Sequence, residues 1–373
     1  MRWAIGLAAM ASALLVTATA AQAAPADAWA AAARLHRGVN VLGYDPIWKD
    51  ARAARFQPRH FSIIRAGGFD FIRVVLQSFG HMDAQNQLDR HWLATLDRVI
   101  AQATDAGLGV IVDEHDFNDC SENPDLCETK LIAFWRQIGE RYRTSPDTVL
   151  FELLNEPHGK LDAAHWNALV KRLIPVVRAS NPARTLIIGP TQWNSLSQLP
   201  ALDLPADDRN ILVTFHYYEP FHFTHQGAAW SAETRDLHGI PFTAADEARI
   251  ARDFDTVAAW SKANNRPILL GEFGAYDGSG TPMADRARYA LTVRKAAEGH
   301  GMPWAYWQFD SDFVVYDIDH DHWVEPIRRA LVFDSASPKR HQPTPPPDLP
   351  IRIFYSMGGR VGEWAGAAPV QLR

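Results

Sequence analysis

Short apolar segments that end in polar residues recur along this chain and alternate with amphipathic helical segments. The clearest of them is Leu150–Gly159, in which an apolar run around Glu152 leads directly to Asn155, Glu156 and Pro157. Such runs are typical of parallel strands that are buried on both faces. A proline cannot donate a hydrogen bond to a neighbouring strand, so we expect the strand to end there, with Glu156 at its carboxyl tip.

The same pattern occurs eight times between residues 37 and 331. A second clear example, Pro267–Gly274, places Glu272 at the equivalent position. Strands that alternate with helices form parallel sheets with right-handed crossovers, and eight repeats favour a closed barrel. We therefore predict an α/β fold of the (β/α)₈ TIM-barrel type in a single domain.

Other fold and partner classes have little support in the sequence. Neither GxGxxG nor GxxxxGKS/T follows any predicted strand, which disfavours an open nucleotide-binding sheet. The 373 residues carry a net charge of −6 and contain no basic block. We therefore expect neither nucleic acid nor an anionic membrane surface as a partner. We expect the protein to be a monomer.

The N-terminus has the features of a secretory signal peptide. Arg2 precedes an apolar stretch, Ala4–Ala20, and an A-x-A cleavage sequence follows at residues 21–23. An uncleaved membrane anchor is the alternative, but the small residues at the end of the stretch favour cleavage. We predict a signal peptide at residues 1–23 and a secreted or periplasmic mature protein without membrane contact.

The rest of the chain divides into two predicted parts. We assign residues 24–337 to the barrel and residues 338–373 to a proline-rich tail. The tail includes Pro343–Pro347, which predicts a stiff and extended spacer. We have no functional interpretation of the residues beyond it.

The two cysteines of the chain, Cys120 and Cys127, have six residues between them in a predicted loop. In an oxidising compartment this spacing favours a local disulfide that stiffens the loop. The alternatives are two free thiols or half of a zinc site. A structural zinc site has four ligands, and two thiolates do not supply them.

Polar and aromatic side chains collect at the predicted strand tips. In TIM barrels the reactive groups lie at the carboxyl ends of the strands. Each of these residues alone has an ordinary structural explanation, such as a buried ion pair or core packing. Their joint placement at one barrel mouth indicates a functional site, made of Arg73, His115, Asn155, Glu156, His216, Tyr218, Glu272 and Trp307.

Two carboxyl groups about 5–5.5 Å apart, one protonated and one ionised, suit the retaining cleavage of a glycosidic bond. We expect Arg73 to keep Glu272 anionic as the nucleophile. The charge of Glu272 and the apolar rim should raise the pKa of Glu156, which then acts as acid and later as base. Asn155 is placed to bind the sugar 2-OH, and Tyr218 to donate to Glu272. The remaining lining residues are His115, His216 and Trp307, the last as a flat face beneath the sugar.

Six motifs resemble the retaining glycoside hydrolases of family 5, the large cellulase family: LLNEPHG, LLGEFGAY, FIRVV, VDEH, FHYYEP and WAYWQF. The resemblance runs from about Arg37 to Phe333. It implies a (β/α)₈ catalytic domain, the acid/base Glu156, the nucleophile Glu272, and the other six tip residues as their partners. The run FHYYEPFHFTHQGAAW is similar to the endoglucanase-type branch, in which mannan and xyloglucan activities also occur. The proline-rich tail departs from the family pattern.

Three other functions remain as alternatives, two of them catalytic and one of them binding alone. A metal hydrolase is suggested by Asp113–Asp116, but alternate residues of a strand face opposite sides and no HxH or HExxH accompanies them. We expect neither a metal nor a cofactor. A non-catalytic β-glucan-binding barrel would normally lack one of the two glutamates. A transglycosylase would share all of the chemistry and differ only in excluding water.

The substrate is predicted less sharply than the reaction. Trp48, Trp193 and Trp230 lie on predicted loops at the mouth and are candidate sugar-stacking residues, although some of them belong to the loop core in the alternative interpretation. An open groove favours internal cleavage of a β-1,4-glucan. A β-mannanase or another β-glucanase would use the same carboxylates.

Overall fold

Eight parallel strands close into a barrel, in which each strand pairs with its neighbours in chain order and the last pairs with the first. The computed structural model describes residues 27–278 and 280–333. The predicted (β/α)₈ barrel is confirmed. Its strands are β1 (Arg37–Val41), β2 (Phe71–Leu76), β3 (Gly109–Glu114), β4 (Val149–Glu152), β5 (Leu186–Ile188), β6 (Ile211–His216), β7 (Ile268–Glu272) and β8 (Trp304–Tyr306).

Helical segments connect the strands and cover the outside of the barrel. They are α1 (Ala28–Ala32), α2 (Arg59–Ala66), α3 (Arg90–Asp105), α4 (Phe117–Glu122), α5 (Pro124–Arg141), α6 (Ala163–Arg178), α7 (Thr191–Asn194), α8 (Phe221–Thr224), α9 (Ala244–Asn264), α10 (Met283–Gly299) and α11 (Glu325–Val332). The short segment α7 is a left-handed turn rather than a regular α-helix. A small antiparallel ribbon that the sequence analysis missed, β9 (Tyr316–Asp317) with β10 (His322–Trp323), follows β8.

Local sequence accounts for where the long helices begin. The side chain of Asp89 accepts hydrogen bonds from the first backbone N–H groups of α3. Helix α9 starts with a capping box, in which Thr243 and Asp246 each accept from the other's backbone N–H. These caps satisfy donors that have no partner within the helix.

The barrel interior is filled in layers. At the amino-terminal end one apolar layer, closed from below by α1, consists of Phe71, Ile111, Leu150, Ile187, Leu212, Leu269 and Ala305. Side chains alternate along a strand, so the residue two positions further on points into the next interior layer. In β2, β3 and β4 those residues are Arg73, Asp113 and Glu152. An apolar plug therefore supports a charged layer, which lies directly beneath the mouth.

One predicted strand boundary was wrong. Strand β4 ends at Glu152, four residues before Glu156, so Pro157 does not end it. The backbone N–H of Leu153 still donates to β5, and the backbone N–H of Asn155 donates to the last residue of β3. The segment that carries Glu156 is thus a loop tied to both neighbouring strands.

Several predicted features fall outside the described residues. They are the signal peptide at residues 1–23, the tail at 338–373 and both ends of the predicted domain 24–337. Within the described part of the chain, no helix combines the length and the apolar character needed to cross a bilayer.

Cys120 and Cys127 form a disulfide, with their Cα atoms 4.6 Å apart. The prediction that they lie in a loop was wrong. Cys120 belongs to α4 and Cys127 to the first turns of α5, and both are fully buried. The disulfide therefore joins two consecutive helices, connected by a short linker, just after β3.

Replacing both cysteines by alanine should lower the free energy of unfolding by about 2–3 kcal/mol, because a short cross-linked loop restricts the unfolded chain. Urea unfolding of the wild type and the double variant would measure this difference. A reductant should destabilise the wild type by the same amount and leave the variant unchanged. Equal stability of the oxidised and reduced wild type would contradict the prediction.

Candidate active site

Arg73 is the centre of a buried polar network beneath the barrel mouth. It pairs with Glu152 through two hydrogen bonds, from Nε to Oε2 at 2.7 Å and from Nη2 to Oε1 at 2.9 Å. Nη1 donates to Oε1 of Glu272 at 2.7 Å and to Oδ1 of Asn40 at 2.9 Å. Nη2 also donates to Oδ1 of Asn155 at 2.8 Å. The guanidinium of this β2 residue thus links β1, β7, the last residue of β4 and the loop that follows β4.

The sequence analysis did not identify Glu152 or Asn40 as site residues. Both are fully buried, as is Arg73. Removing a guanidinium from water is costly unless carboxylates neutralise it, and Glu152 is one of the carboxylates that do so. The signal in the sequence was Glu152 itself, because an ionisable residue inside an apolar strand requires a partner.

His115 lies between Asp113 and Asn155. Its Nδ1 is 2.6 Å from Oδ2 of Asp113, and its Nε2 is 3.2 Å from Nδ2 of Asn155. Asn155 already accepts from Arg73 through its oxygen, so its Nδ2 donates to Nε2 and the ring proton is on Nδ1. Burial lowers the pKa of His115 to about 4, which keeps the ring neutral. The indole of Trp307 stacks on it, with centroids 5.8 Å apart.

Glu272 is the last residue of β7 and is held by two donors. Arg73 donates to Oε1, and the Tyr218 hydroxyl donates to Oε2 at 2.9 Å, as the sequence analysis predicted. Burial raises the pKa of Glu272, while His216 and Arg73 act against this rise. The expectation that Arg73 simply keeps Glu272 anionic therefore left out the effect of burial. Burial and the Glu272 charge raise the pKa of Tyr218 well above its ordinary value, so the hydroxyl remains a donor.

Glu156 follows β4 and has a φ of 42°, in the left-handed region. Its backbone carbonyl accepts from Nδ1 of His158 at 2.8 Å, which fixes the turn. Its Oε1 lies 2.7 Å from Nδ1 of His216. Burial, one of the two causes that we expected, is the largest cause of the raised pKa of Glu156, while His115 and Arg73 act against the rise. The predicted direction is the observed one.

The two carboxylates converge. One oxygen of Glu156, one oxygen of Glu272 and one ring nitrogen of His216 all lie within 4.8 Å of one another. Nδ1 of His216 is 3.6 Å from Oε2 of Glu272. This close approach of one oxygen from each carboxylate is compatible with the short carboxyl separation of retaining glycosidases, about 5–5.5 Å.

The geometry does not support a metal site at Asp113–Asp116. Asp113 and His115 face the barrel interior, whereas Glu114 faces outward and accepts from the hydroxyl of Ser78 at 3.0 Å. Within residues 27–278 and 280–333, three side chains are spaced so that they could hold a metal ion, namely Glu156, His216 and Glu272.

Comparison with known families decides the classification of the chain. Residues 38–312 match the model of the family described as cellulase (glycosyl hydrolase family 5). The chain belongs to glycosyl hydrolase family 5. The resemblance carried by the six sequence motifs is thereby confirmed.

Two of the relatives of this family 5 chain are named endoglucanases. Endoglucanase H of Acetivibrio thermocellus is 28% identical over 282 residues, which are 73% of this chain and 30% of that protein. Endoglucanase 3 of Fibrobacter succinogenes is 26% identical over 276 residues, which are 63% of this chain and 41% of that protein. The family 5 chain thus spans less than half the length of either relative.

Solved structures of family 5 superpose on the barrel. Cel5A of Thermotoga maritima in complex with mannotriose is 32% identical, with a TM-score of 0.78. The match covers 82% of this chain and 100% of that chain. The same relative in complex with cellobiose matches with the same values. That relative has therefore been solved with two different ligands, mannotriose and cellobiose.

Two of the three predicted stacking tryptophans are exposed near the mouth. Trp193 is 55% exposed and stacks on His158, the residue that bonds the Glu156 carbonyl, with centroids 4.6 Å apart. Trp230 is 56% exposed and lies edge-on to Tyr276 and near Phe313. Both rings present exposed surface on the loops that follow β5 and β6.

The third tryptophan has a structural role instead. Trp48 is only partly exposed, donates from Nε1 to the carbonyl of Leu42 at 2.7 Å, and packs on Trp92. An aromatic residue that the sequence analysis missed is more open: Tyr44 is 63% exposed and lies edge-on to Trp307. Its position just after β1 was the available signal, because the residues that follow a barrel strand lie at the mouth.

Proposed function

We propose that this chain is a retaining endo-acting β-glycoside hydrolase that cleaves β-1,4-linked glucan. This proposal rests mainly on the convergence of Glu156, on the loop after β4, and Glu272, at the end of β7, with one oxygen of each within 4.8 Å of the other. Family membership and the endoglucanase names of the relatives support it. The different hydrogen-bond partners of the two carboxylates support different roles for them.

Glu272 acts as the nucleophile. Arg73 and Tyr218 each donate to one of its oxygens, and these contacts stabilise the carboxylate form that attacks the anomeric carbon. The attack forms a glycosyl ester on Glu272 and expels the leaving-group oxygen. Asn155, fixed by Arg73 and His115, is placed to bind the sugar 2-OH, a contact that strengthens in the transition state.

Glu156 acts first as acid and then as base. Burial favours its protonated form, and its proton goes to the leaving-group oxygen as the glycosidic bond breaks. Glu156 and Glu272 raise each other's pKa when both are charged. Esterification removes the charge of Glu272, so the pKa of Glu156 falls and the carboxylate can take a proton from the attacking water. Trp307 supplies a flat surface beneath the reacting sugar.

A hydrolysis panel tests the proposed activity. We expect internal cleavage of soluble cellulose, release of β-anomers in the first minutes by NMR, and full activity in EDTA. Cleavage of the sugar polymer with α-anomers as the first product would contradict the retaining mechanism. Binding without turnover would favour a non-catalytic barrel, and predominant chain transfer would favour a transglycosylase.

A β-mannanase is the second candidate, because a relative with 32% identity has been solved with mannotriose as well as with cellobiose. Including β-mannan, xyloglucan and mixed-linkage glucan in the same panel distinguishes these substrates. A ratio of kcat/KM for mannan over cellulose above one would assign the chain to the mannanase alternative.

The alkaline limb of the pH profile should report Glu156. Its pKa is raised by burial, and its protonated fraction falls as the pH rises through that value, so kcat/KM should fall there too. A Glu156→Gln variant, assayed with a dinitrophenyl β-cellobioside that leaves without a proton, should keep the acidic limb and lose the alkaline one. An unchanged alkaline limb in this variant would contradict the assignment.

We also propose that the mature protein works outside the cytoplasm as a monomer. Support comes from the charged, apolar and small-residue regions of residues 1–23. N-terminal sequencing of the exported protein should begin at Ala24, and a start at Met1 would favour the membrane anchor. Light scattering of the exported protein should give the mass of one chain.

A further inference from the structure

Residues 192–194 form a left-handed turn after β5, beside the acid carboxylate. Gln192, Trp193 and Asn194 have φ values of 53°, 57° and 53°. Three successive residues with side chains are strained in this region of the backbone map, and such strain tends to occur at functional sites. The turn exposes Trp193 and buries Asn194 completely.

The carboxamide of Asn194 reaches the imidazole that contacts Glu156. Its Nδ2 lies 3.2 Å from Nε2 of His216, whose Nδ1 lies 2.7 Å from Oε1 of Glu156. Gly189 makes room for this carboxamide, since a Cβ at position 189 would lie 2.1 Å from Oδ1 of Asn194. A line of contacts therefore runs from the turn through the imidazole to the acid.

A second series of contacts in the site has the same order, from an amide through an imidazole to a carboxylate. Asn155 donates to Nε2 of His115, and Nδ1 of that ring bonds to a carboxylate. Asn194 faces Nε2 of His216 in the same way, and Nδ1 of that ring bonds to Glu156. An amide N–H that donates to Nε2 requires a lone pair there, which places the single proton of a neutral ring on Nδ1.

We propose that Asn194 is a positioning residue that holds His216 in the Nδ1–H tautomer. His216 then donates permanently to Oε1 of Glu156, so the catalytic proton is carried by the other oxygen, Oε2. The anion that forms after proton delivery keeps a hydrogen bond, which limits how far burial raises the pKa of Glu156. This inference rests on the proposed role of Glu156 as acid and base.

Burial lowers the pKa of His216 to about 4, in agreement with a neutral ring. Oδ1 of Asn194 is buried without a hydrogen-bond partner among the residues that the structure describes. The carboxamide is thus held by its contact with His216 and by the pocket at Gly189. The tests leave the other titratable groups around Glu156 and His216 in place, namely Tyr44, Arg73, Asp113, His115, Glu152, His158, Tyr218 and Glu272.

Two variants should break the hydrogen bond between Asn194 and His216 in different ways. Asn194→Gly removes the carboxamide and tolerates the positive φ, while Gly189→Ala pushes the carboxamide away without deleting it. Gln192→Gly is the matched control, because Gln192 lies in the same turn with an exposed side chain. Retained thermal unfolding transitions establish that each variant is folded.

The test combines the ring tautomer with the pH profile. ¹⁵N NMR of histidine-labelled full chain, with His216 assigned by a His216→Asn variant, should show Nδ1–H in the wild type and in Gln192→Gly. In Asn194→Gly and Gly189→Ala the ring should change to Nε2–H. The alkaline limb of kcat/KM on a methylumbelliferyl β-cellobioside should then move up by about one pH unit. This is the shift expected when the Glu156 anion loses one buried hydrogen bond.

An Nε2–H ring in the wild type would overturn the inference. So would lower activity of both variants with an unmoved alkaline limb, which is the result of a merely structural role. Glu156→Gln separates the two proposals. If the alkaline limb persists in Glu156→Gln, Glu156 is not the acid. If Glu156→Gln loses the alkaline limb but Asn194→Gly leaves it unmoved, only the proposed role of Asn194 is contradicted.

Discussion

Replacing Glu272 by alanine should lower kcat on soluble cellulose by at least about 10⁴-fold, because it removes the carboxylate that forms the glycosyl ester. The fold should survive, since Arg73 keeps its two hydrogen bonds to Glu152. Steady-state kinetics, with polysaccharide binding measured separately, gives the result. We expect binding to remain while turnover is lost.

Small anions provide the control for this variant. Azide can enter the space left by the carboxylate and attack the anomeric carbon, so it should restore turnover and yield an α-glycosyl azide. Glu140→Ala, which removes an exposed carboxylate on α5, should behave as the wild type does. Turnover of Glu272→Ala near the wild-type rate without azide would contradict the nucleophile assignment.

Replacing Arg73 by methionine should lower the free energy of unfolding by about 3–5 kcal/mol, since it leaves buried carboxylates without their cation. Asp113, Glu152 and Glu272 all lie within 3.1 Å of the guanidinium. Turnover should fall as well, because Glu272 loses a donor that favours its anion. Urea unfolding and kcat/KM at one pH measure the two effects.

A surface pair serves as the matched control for Arg73. Arg34 pairs with Asp147 in solvent, and Arg34→Met should change the stability by no more than about 1 kcal/mol. Adding Glu152→Gln to Arg73→Met should restore part of the lost stability, because it removes one of the unpaired charges. Stability of Arg73→Met equal to that of Arg34→Met would show that the buried network contributes little.

The order of elements and the two acidic tips could be predicted because they depend on local pattern. Apolar runs ending at Glu156 and Glu272 identify buried parallel strands, and eight of them leave few topologies. The same pattern placed His216 and Trp307 correctly near the mouth. It could not show that β4 ends at Glu152, because the apolar Leu153 and Leu154 continue the run beyond the last strand pairing.

The interior network was beyond prediction because it depends on barrel register. Asn40, Arg73 and Glu152 meet only when β1, β2 and β4 close around one axis, and the spacing of residues along the chain does not encode this. Asn194 was missed for another reason. Its function depends on a left-handed backbone and on the space at Gly189, and neither is visible as a pattern of apolar and polar residues.

The most direct test of the account is to trap the glycosyl ester. A dinitrophenyl β-cellobioside with fluorine in place of the 2-OH should inactivate the full chain, releasing dinitrophenolate and adding one fluorocellobiosyl group per molecule. Mass spectrometry of the digested protein should then place the sugar on the peptide that contains Glu272. A sugar on the peptide of Glu156, or turnover with inversion and no adduct, would contradict a mechanism in which these two carboxylates act on one anomeric carbon.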